Sequence, residues 1–168
     1  MDPICLAFDV SPDRRGAIAA AGRRPDGLFH VEVVNDKTGT AWMHDRIVAL
    51  LKKHKPLALI CDGYGPAANL VRALEDEYIE VTKLTASEHG QACASLVDLV
   101  NEKAIRHLGT TELRNAVGAA QTRPLGDAWA WSRKNSTANI APLVAVTLAL
   151  SGIAAFEEEP EEAMIAWA

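Results

Sequence analysis

The 168-residue sequence has no run of eighteen apolar residues to span a bilayer, and its opening MDPICLAFDV has Asp2 where a secretory leader carries positive charge. It therefore reads as soluble, cytoplasmic and free of any membrane partner. Its cysteines, Cys5, Cys61 and Cys93, are odd in number, and two of them lie in apolar strand-like runs. A disulfide framework or zinc knuckle is thereby disfavoured, and the three read as small buried hydrophobes. No G-x-x-x-x-G-K-[ST] loop occurs, since GYGPAAN lacks the lysine, so ATP is not expected to bind. The histidines, at 30, 44, 54, 89 and 107, form no metal spacing such as HExxH. His30 reads as lying on a strand face and His54 as a helix-end residue beside lysines, while His89 and His107 carry no assignment.

The net charge of −5 argues at first against a nucleic-acid partner, which needs a basic surface. However, five of the 22 acids fall in EEEPEE, from Glu157 to Glu162. Without them the body is neutral, with 17 acids against 17 bases. The bases are clumped as Arg14-Arg15, Arg23-Arg24, Lys52-Lys53-His54-Lys55 and Arg133-Lys134. Each clump is either a solvated face or a phosphate contact.

ICLAFDV, GAIAAAG and LFHVEVVN read as three strands joined by the turn sequences SPDRR and RRPDG, which makes an antiparallel meander. TAWMHDRIVALLKKH places Trp42, Ile47, Leu50 and Leu51 on one helical face, capped near Thr40 and stopped before Pro56. LALICD is a short buried strand, and GYGPAANLVRALEDE is a glycine-rich turn into a helix with Pro66 near its start. IEVTKL reads as another strand, Ser87 to Asn101 as a helix, and TELRNAVGAA as a shorter one. RPLGDAWAWSRKNS is a hairpin or an extended loop, and the last helix runs from about Asn139 to Ile153. The order is mixed α/β: a three-strand meander feeding parallel strands, with helices on both faces. One domain spans 1–156, followed by an acidic, disordered tail over 157–168.

Asp9 lies near the end of the first strand and Asp62 ends the fourth. An isolated buried charge is costly unless it is paired or bound to metal, and the carboxyl ends of strands are where open α/β sheets bind ligands. If the two strands are parallel neighbours, the two carboxylates face one another. Held together, they repel unless a cation sits between them, and all-oxygen donors favour Mg²⁺ or Mn²⁺. Two such ions can activate a water and stabilise the leaving oxygen of a phosphodiester. The alternative is that both are strand-end residues capping the turns that follow.

ICLAFDVSPDRRGAIAAAG, LICDGYGPAANL and, above all, RPLGDAWAWSRKNSTANIAPLVAVTLAL resemble the C-terminal nuclease domain of phage terminase large subunits, over almost the whole chain up to Phe156. The resemblance implies a ribonuclease H-like fold and a metal-dependent endonuclease that cuts double-stranded, concatemeric viral DNA during packaging. It implies the host cytoplasm as the setting. It implies as partners duplex DNA, an N-terminal ATPase domain, the portal and the small terminase subunit. Asp9 and Asp62 match the family's first two acids. The third is an Asp at the start of the last helix, where this sequence has Asn139. An amide offers one neutral oxygen and no charge, so metal binding there is expected to weaken. Asn139 is then a disabling substitution, a natural difference or an N-cap.

Asp127 in LGDAW is the substitute carboxylate to weigh against a turn-forming role, whereas Asp13 and Asp98 read as surface charges. Trp129 and Trp131 read as a hydrophobic anchor more than a stacking platform. In the resembled family the segment ending in Arg133 and Lys134 lies near the active site. These two are expected to touch phosphate, with Arg14 and Arg15 as further candidates. The rival readings are a nuclease-dead module that binds DNA or packaging partners, and another ribonuclease H-like enzyme such as a Holliday-junction resolvase.

Overall fold

The computed structural model describes residues 3–63 and 65–158, with the backbone alone for 157 and 158. Three strands, β1 (Ile4–Val10), β2 (Arg15–Arg23) and β3 (Phe29–Thr38), form the antiparallel meander. Helix α1 (Met43–His54) crosses to β4 (Ala58–Cys61), which pairs parallel to β1. A 3₁₀ turn at Gly65–Ala67 opens α2 (Ala68–Asp76), and β5 (Thr82–Lys83) then adds parallel to β4. Helix α3 (Ala86–Asn101), strand β6 (Ile105–His107) and helix α4 (Thr111–Ala119) precede a separate hairpin of β7 (Thr122–Leu125) and β8 (Ala128–Trp131). The chain climbs back over the sheet in α5 (Ala141–Glu158). The six-stranded sheet runs β5-β4-β1-β2-β3-β6.

Alternation along β1 explains the two cores, because successive side chains point to opposite faces. Leu6, Phe8 and Val10 join Ile18, Leu59, Met43, Ile47 and Leu74 under α1 and α2. Cys5 and Ala7 join Ala17, Ala19 and Ala21 under α5, with α3 and α4 beside it. The alanine-rich face lets the helix lie close to the sheet. At Gly152 a β-carbon would meet Ile60 Cδ1 at 2.1 Å and Cys5 Sγ at 3.1 Å, so only glycine fits without something moving. Over residues 141–150 helix α5 is buried on every side, enclosed by the sheet and flanking helices, and Val144, Ala145, Leu148 and Ala149 are fully buried.

Several sequence expectations shift in detail. The strand expected over IEVTKL shrinks to two residues, and α5 begins two residues after Asn139 and runs past Ile153 to Glu158. Thr40 accepts the Met43 N–H through its backbone carbonyl and makes no side-chain cap. The short strand β6, which pairs parallel to β3, carries no signal in the sequence. The expected acidic tail lies outside the described residues from 159 onward. Among the described residues, no helix is long and apolar enough to cross a membrane.

Candidate active site

Parallel register pairs Ala7 with Ile60, so its continuation sets Asp9 opposite Asp62, both on the α5 face. Asp62 follows the last residue of β4, and Gly63 at φ 70° lets the chain leave the sheet at once. Asp9 is 1% exposed and Asp62 5%. The two are joined by a third residue. Arg133 Nη2 donates to Asp9 Oδ1 and to Asp62 Oδ2, both at 2.6 Å, while Nε lies 3.1 Å from Asp9 Oδ2.

The loop after β8 holds Arg133 in this place. The Ser132 N–H donates to Gln121 O at 2.7 Å, the Ser136 hydroxyl to Ser132 O at 2.6 Å, and the Thr137 N–H to Ala119 O at 3.2 Å. The loop backbone is thus fastened to the end of α4. The hairpin before it is anchored as well: Trp131 Nε1 donates to Thr147 Oγ1 at 3.0 Å, and its ring packs edge-on against Trp129 at 4.9 Å. That geometry fits the anchor role expected of the tryptophans. Asp127 sits with Gly126, at φ 60°, in the two-residue hairpin loop, the turn role weighed for it.

Burial dominates the electrostatics. It pushes the Asp9 carboxyl up to about 6 against the pull of the Arg133 guanidinium, and the Asp62 charge adds to the rise. His89 on α3 is 4% exposed, with Nδ1 at 3.8 Å from Asp62 Oδ2 and with Nε2 buried and without a hydrogen-bond partner. Burial first, and the Arg133 charge second, hold its imidazole below the usual value, against the pull of the Asp62 charge. The helix that carries His89 starts on a capping box between Thr85 and Glu88. His89 has no spacing signature in the sequence, because what gives it a role is its nearness to Asp62 across the fold.

Asn139 lies elsewhere in the network. Its Oδ1 accepts the Ala141 N–H at 3.0 Å, capping α5, and its Nδ2 donates to Asp36 Oδ1 at 3.3 Å. Asp36 also receives the fork of Arg15, Nε at 2.9 Å and Nη2 at 3.1 Å. Ala17 pairs with both Asp9 and Asp36, so all three share one row across the sheet. Asp36 escapes a sequence reading because the β2–β3 register shifts between Ile18 and Ala19, and that irregularity changes the face on which the residues beyond it fall.

Arg14, in a turn at φ 64°, donates to Pro66 O at 2.7 Å and to Thr40 Oγ1 at 3.0 Å, tying the β1–β2 turn to the neighbouring loops. Arg133 stands between two clefts. One, of about 260 Å³, is lined by Asp62, Thr85, His89, Arg123 and Arg133. The other, of about 320 Å³, is lined by Asp13, Arg133, Lys134, Thr137 and Asn139.

The donor set suits a hard divalent cation. Two carboxylates oppose one another with a guanidinium already seated between them as a stand-in cation, and Mg²⁺ commonly takes one or two carboxylates with waters and phosphate oxygens completing its shell. Among the described residues, no group of three or more His, Cys, Asp or Glu gathers into a metal cluster.

An antiparallel meander continued by parallel strands, with acids at the ends of β1 and β4, is a ribonuclease H-like fold. That fold is shared with the nucleases of phage large terminases. The chain is similar to the large terminase of bacteriophage HK97, with TM-score 0.73 and 13% identity over 90% of this chain and 40% of that one. It is also similar to the large terminase nuclease of thermophilic phage G20c with bound magnesium, with TM-score 0.66 and 12% identity over 89% of this chain and 81% of that one. The chain thus spans two fifths of the HK97 protein. No family model matches it, and no curated protein matches it in sequence.

Proposed function

We propose that this chain is a metal-dependent endonuclease that cuts double-stranded, concatemeric viral DNA during genome packaging. The observation that carries the reading is the pairing of Asp9 and Asp62 around one cation at adjacent strand ends, in a fold that phage terminase nucleases share. Asp9 and Asp62 would hold Mg²⁺ or Mn²⁺. A divalent ion held there supplies Lewis-acid activation of water and stabilisation of the leaving oxygen.

The chain's own residues do the remainder. Burial of Asp9 keeps bulk water from its oxygens, and burial of His89 beside Asp62 disfavours a second positive charge there. Arg123 lines the cleft that holds Asp62, and Lys134 lines the cleft on the other side of Arg133, where they would receive the phosphates of a strand lying across both clefts. Contacts of this kind read backbone and not base edges, so cutting independent of sequence is expected. A second ion would need position 139, where the amide oxygen already accepts a helical N–H and carries no charge. We read Asn139 as weakening the site and not as removing it. The duplex, a companion ATPase domain, the portal and the small terminase subunit are the partners this reading requires, in the host cytoplasm.

The test is plasmid nicking in Mn²⁺ with this protein, its Asn139→Asp variant, and Asp9→Ala made on that variant. Cleavage by Asn139→Asp that Asp9→Ala abolishes supports the reading. The amide at 139 also favours a second one, a module that binds DNA without cutting it. DNA binding with no cleavage by any of the three would select that module.

A further inference from the structure

We infer that Arg133 is an internal counter-ion that competes with the divalent metal for Asp9 and Asp62, so that the site loads fully only when DNA phosphate draws the guanidinium away. The inference rests on the metal reading of this site and goes beyond it, because it assigns Arg133 a regulatory exchange and not a fixed phosphate contact.

Geometry makes the two occupants exclusive. Nη2 lies 2.6 Å from one oxygen of each carboxylate, and an ion bridging those oxygens at its usual distance of about 2.0–2.6 Å would fall on the guanidinium itself. Charge acts in the same direction, since a divalent ion and a guanidinium a few ångströms apart in a buried site repel strongly. Arginine cannot escape by losing its proton. The side chain must therefore move for metal to enter. It is able to: Arg133 is the most exposed of the three, at 16% against 1% and 6% for the side chains of Asp9 and Asp62. The loop backbone is fastened through Ser132 and Ser136, so the movement falls to the side chain.

The clefts on either side offer it a destination. Arg133 borders both clefts, with Arg123 in one and Lys134 in the other, so a released guanidinium meets whichever phosphate those cations hold. A guanidinium fork matches phosphate as well as carboxylate. Coupling of this kind is reciprocal, so DNA tightens metal binding and metal tightens DNA binding by the same factor. A nuclease built this way stays poorly loaded with metal away from its substrate.

The experiment is a Mn²⁺ titration, followed by the electron paramagnetic resonance of free Mn²⁺, on wild type, Arg133→Gln, Arg133→Lys and Asp9→Ala, each with and without a short duplex. Without DNA, Arg133→Gln is expected to bind Mn²⁺ at least about tenfold tighter than wild type, with Arg133→Lys between them and Asp9→Ala weakest. Added duplex is expected to tighten Mn²⁺ binding by wild type severalfold more than it tightens binding by Arg133→Gln, since phosphate oxygens join the metal's shell in both and only wild type also releases a competing guanidinium. Should Arg133→Gln fail to fold without metal, Arg133→Lys compared with wild type, each with and without duplex, decides in its place. Equal affinities for wild type and the Arg133 variants, with Asp9→Ala weaker, would overturn the exchange and leave the metal site standing. No binding by any of the four proteins would overturn both.

Discussion

Asn139 donates its amide to Asp36 across 3.3 Å, and the Asp36 carboxylate, 5% exposed, takes the fork of Arg15 on its other side. The residue at the mouth of α5 is therefore built into a polar network that an aspartate would disturb. This gives the amide a structural role, whatever its origin.

Asn139→Asp would set two carboxylates against one another. Aspartate caps a helix as well as asparagine, so the cap itself survives. Repulsion from Asp36 is expected to cost about 1–2 kcal/mol in EDTA, most of it recovered in Mn²⁺ if the new carboxylate reaches a cation. Urea denaturation with and without metal measures this directly. A variant as stable as wild type in EDTA would show that Arg15 alone neutralises both charges.

Arg133→Ala would leave Asp9 and Asp62 buried without their counter-ion. Losing one partner of a buried ion pair typically costs about 3–5 kcal/mol. Adding Asp9→Asn to that variant should restore much of the loss, since it removes one of the stranded charges. Guanidinium melts of the single and double variants in EDTA provide the check, and additive losses would count against coupling.

The pH dependence follows from Asp9. Its folded carboxyl, raised to about 6 by burial, binds a proton more readily than in the unfolded chain, where the ordinary value is 3.8. The stability tied to that proton is fully present below 3.8 and is lost as pH rises through about 6. In metal-free buffer, wild type should therefore gain on Asp9→Asn as pH falls from 7 toward 4. A constant gap between their melting temperatures across that range would mean that Arg133 outweighs burial.

Gly152→Ala tests the approach of α5 to the sheet. The added methyl meets Ile60 Cδ1 at 2.1 Å, an overlap that packing must relieve at about 1–3 kcal/mol. Combining it with Ile60→Val, which deletes that very atom, should recover part of the loss. If the double variant is no better than the sum of the singles, the strain lies against Cys5 instead.

Much of the architecture was legible in advance. Period-two patterning and turn chemistry marked the meander, apolar length marked the last helix, and Asp9 and Asp62 stood out as charges at the ends of apolar strands. The hairpin over residues 122–131 was open between two readings because its strands are only four residues each. Strand β6 was invisible, since three residues carry no measurable period and pairing with β3 alone makes them a strand.

By itself, then, the sequence determined which segments could be buried and where carboxylates would be costly, because hydrophobic periodicity and the desolvation of charge are local properties. What it left to tertiary structure was partnership. That Arg133 reaches back 124 positions to Asp9 and 71 to Asp62, that His89 is buried beside Asp62, and that Asn139 answers Asp36 all depend on which side chains the packed sheet and helices bring within hydrogen-bond distance. Hydrogen bonds and ion pairs act over a few ångströms, and only the folded chain sets distances on that scale between residues so far apart in sequence.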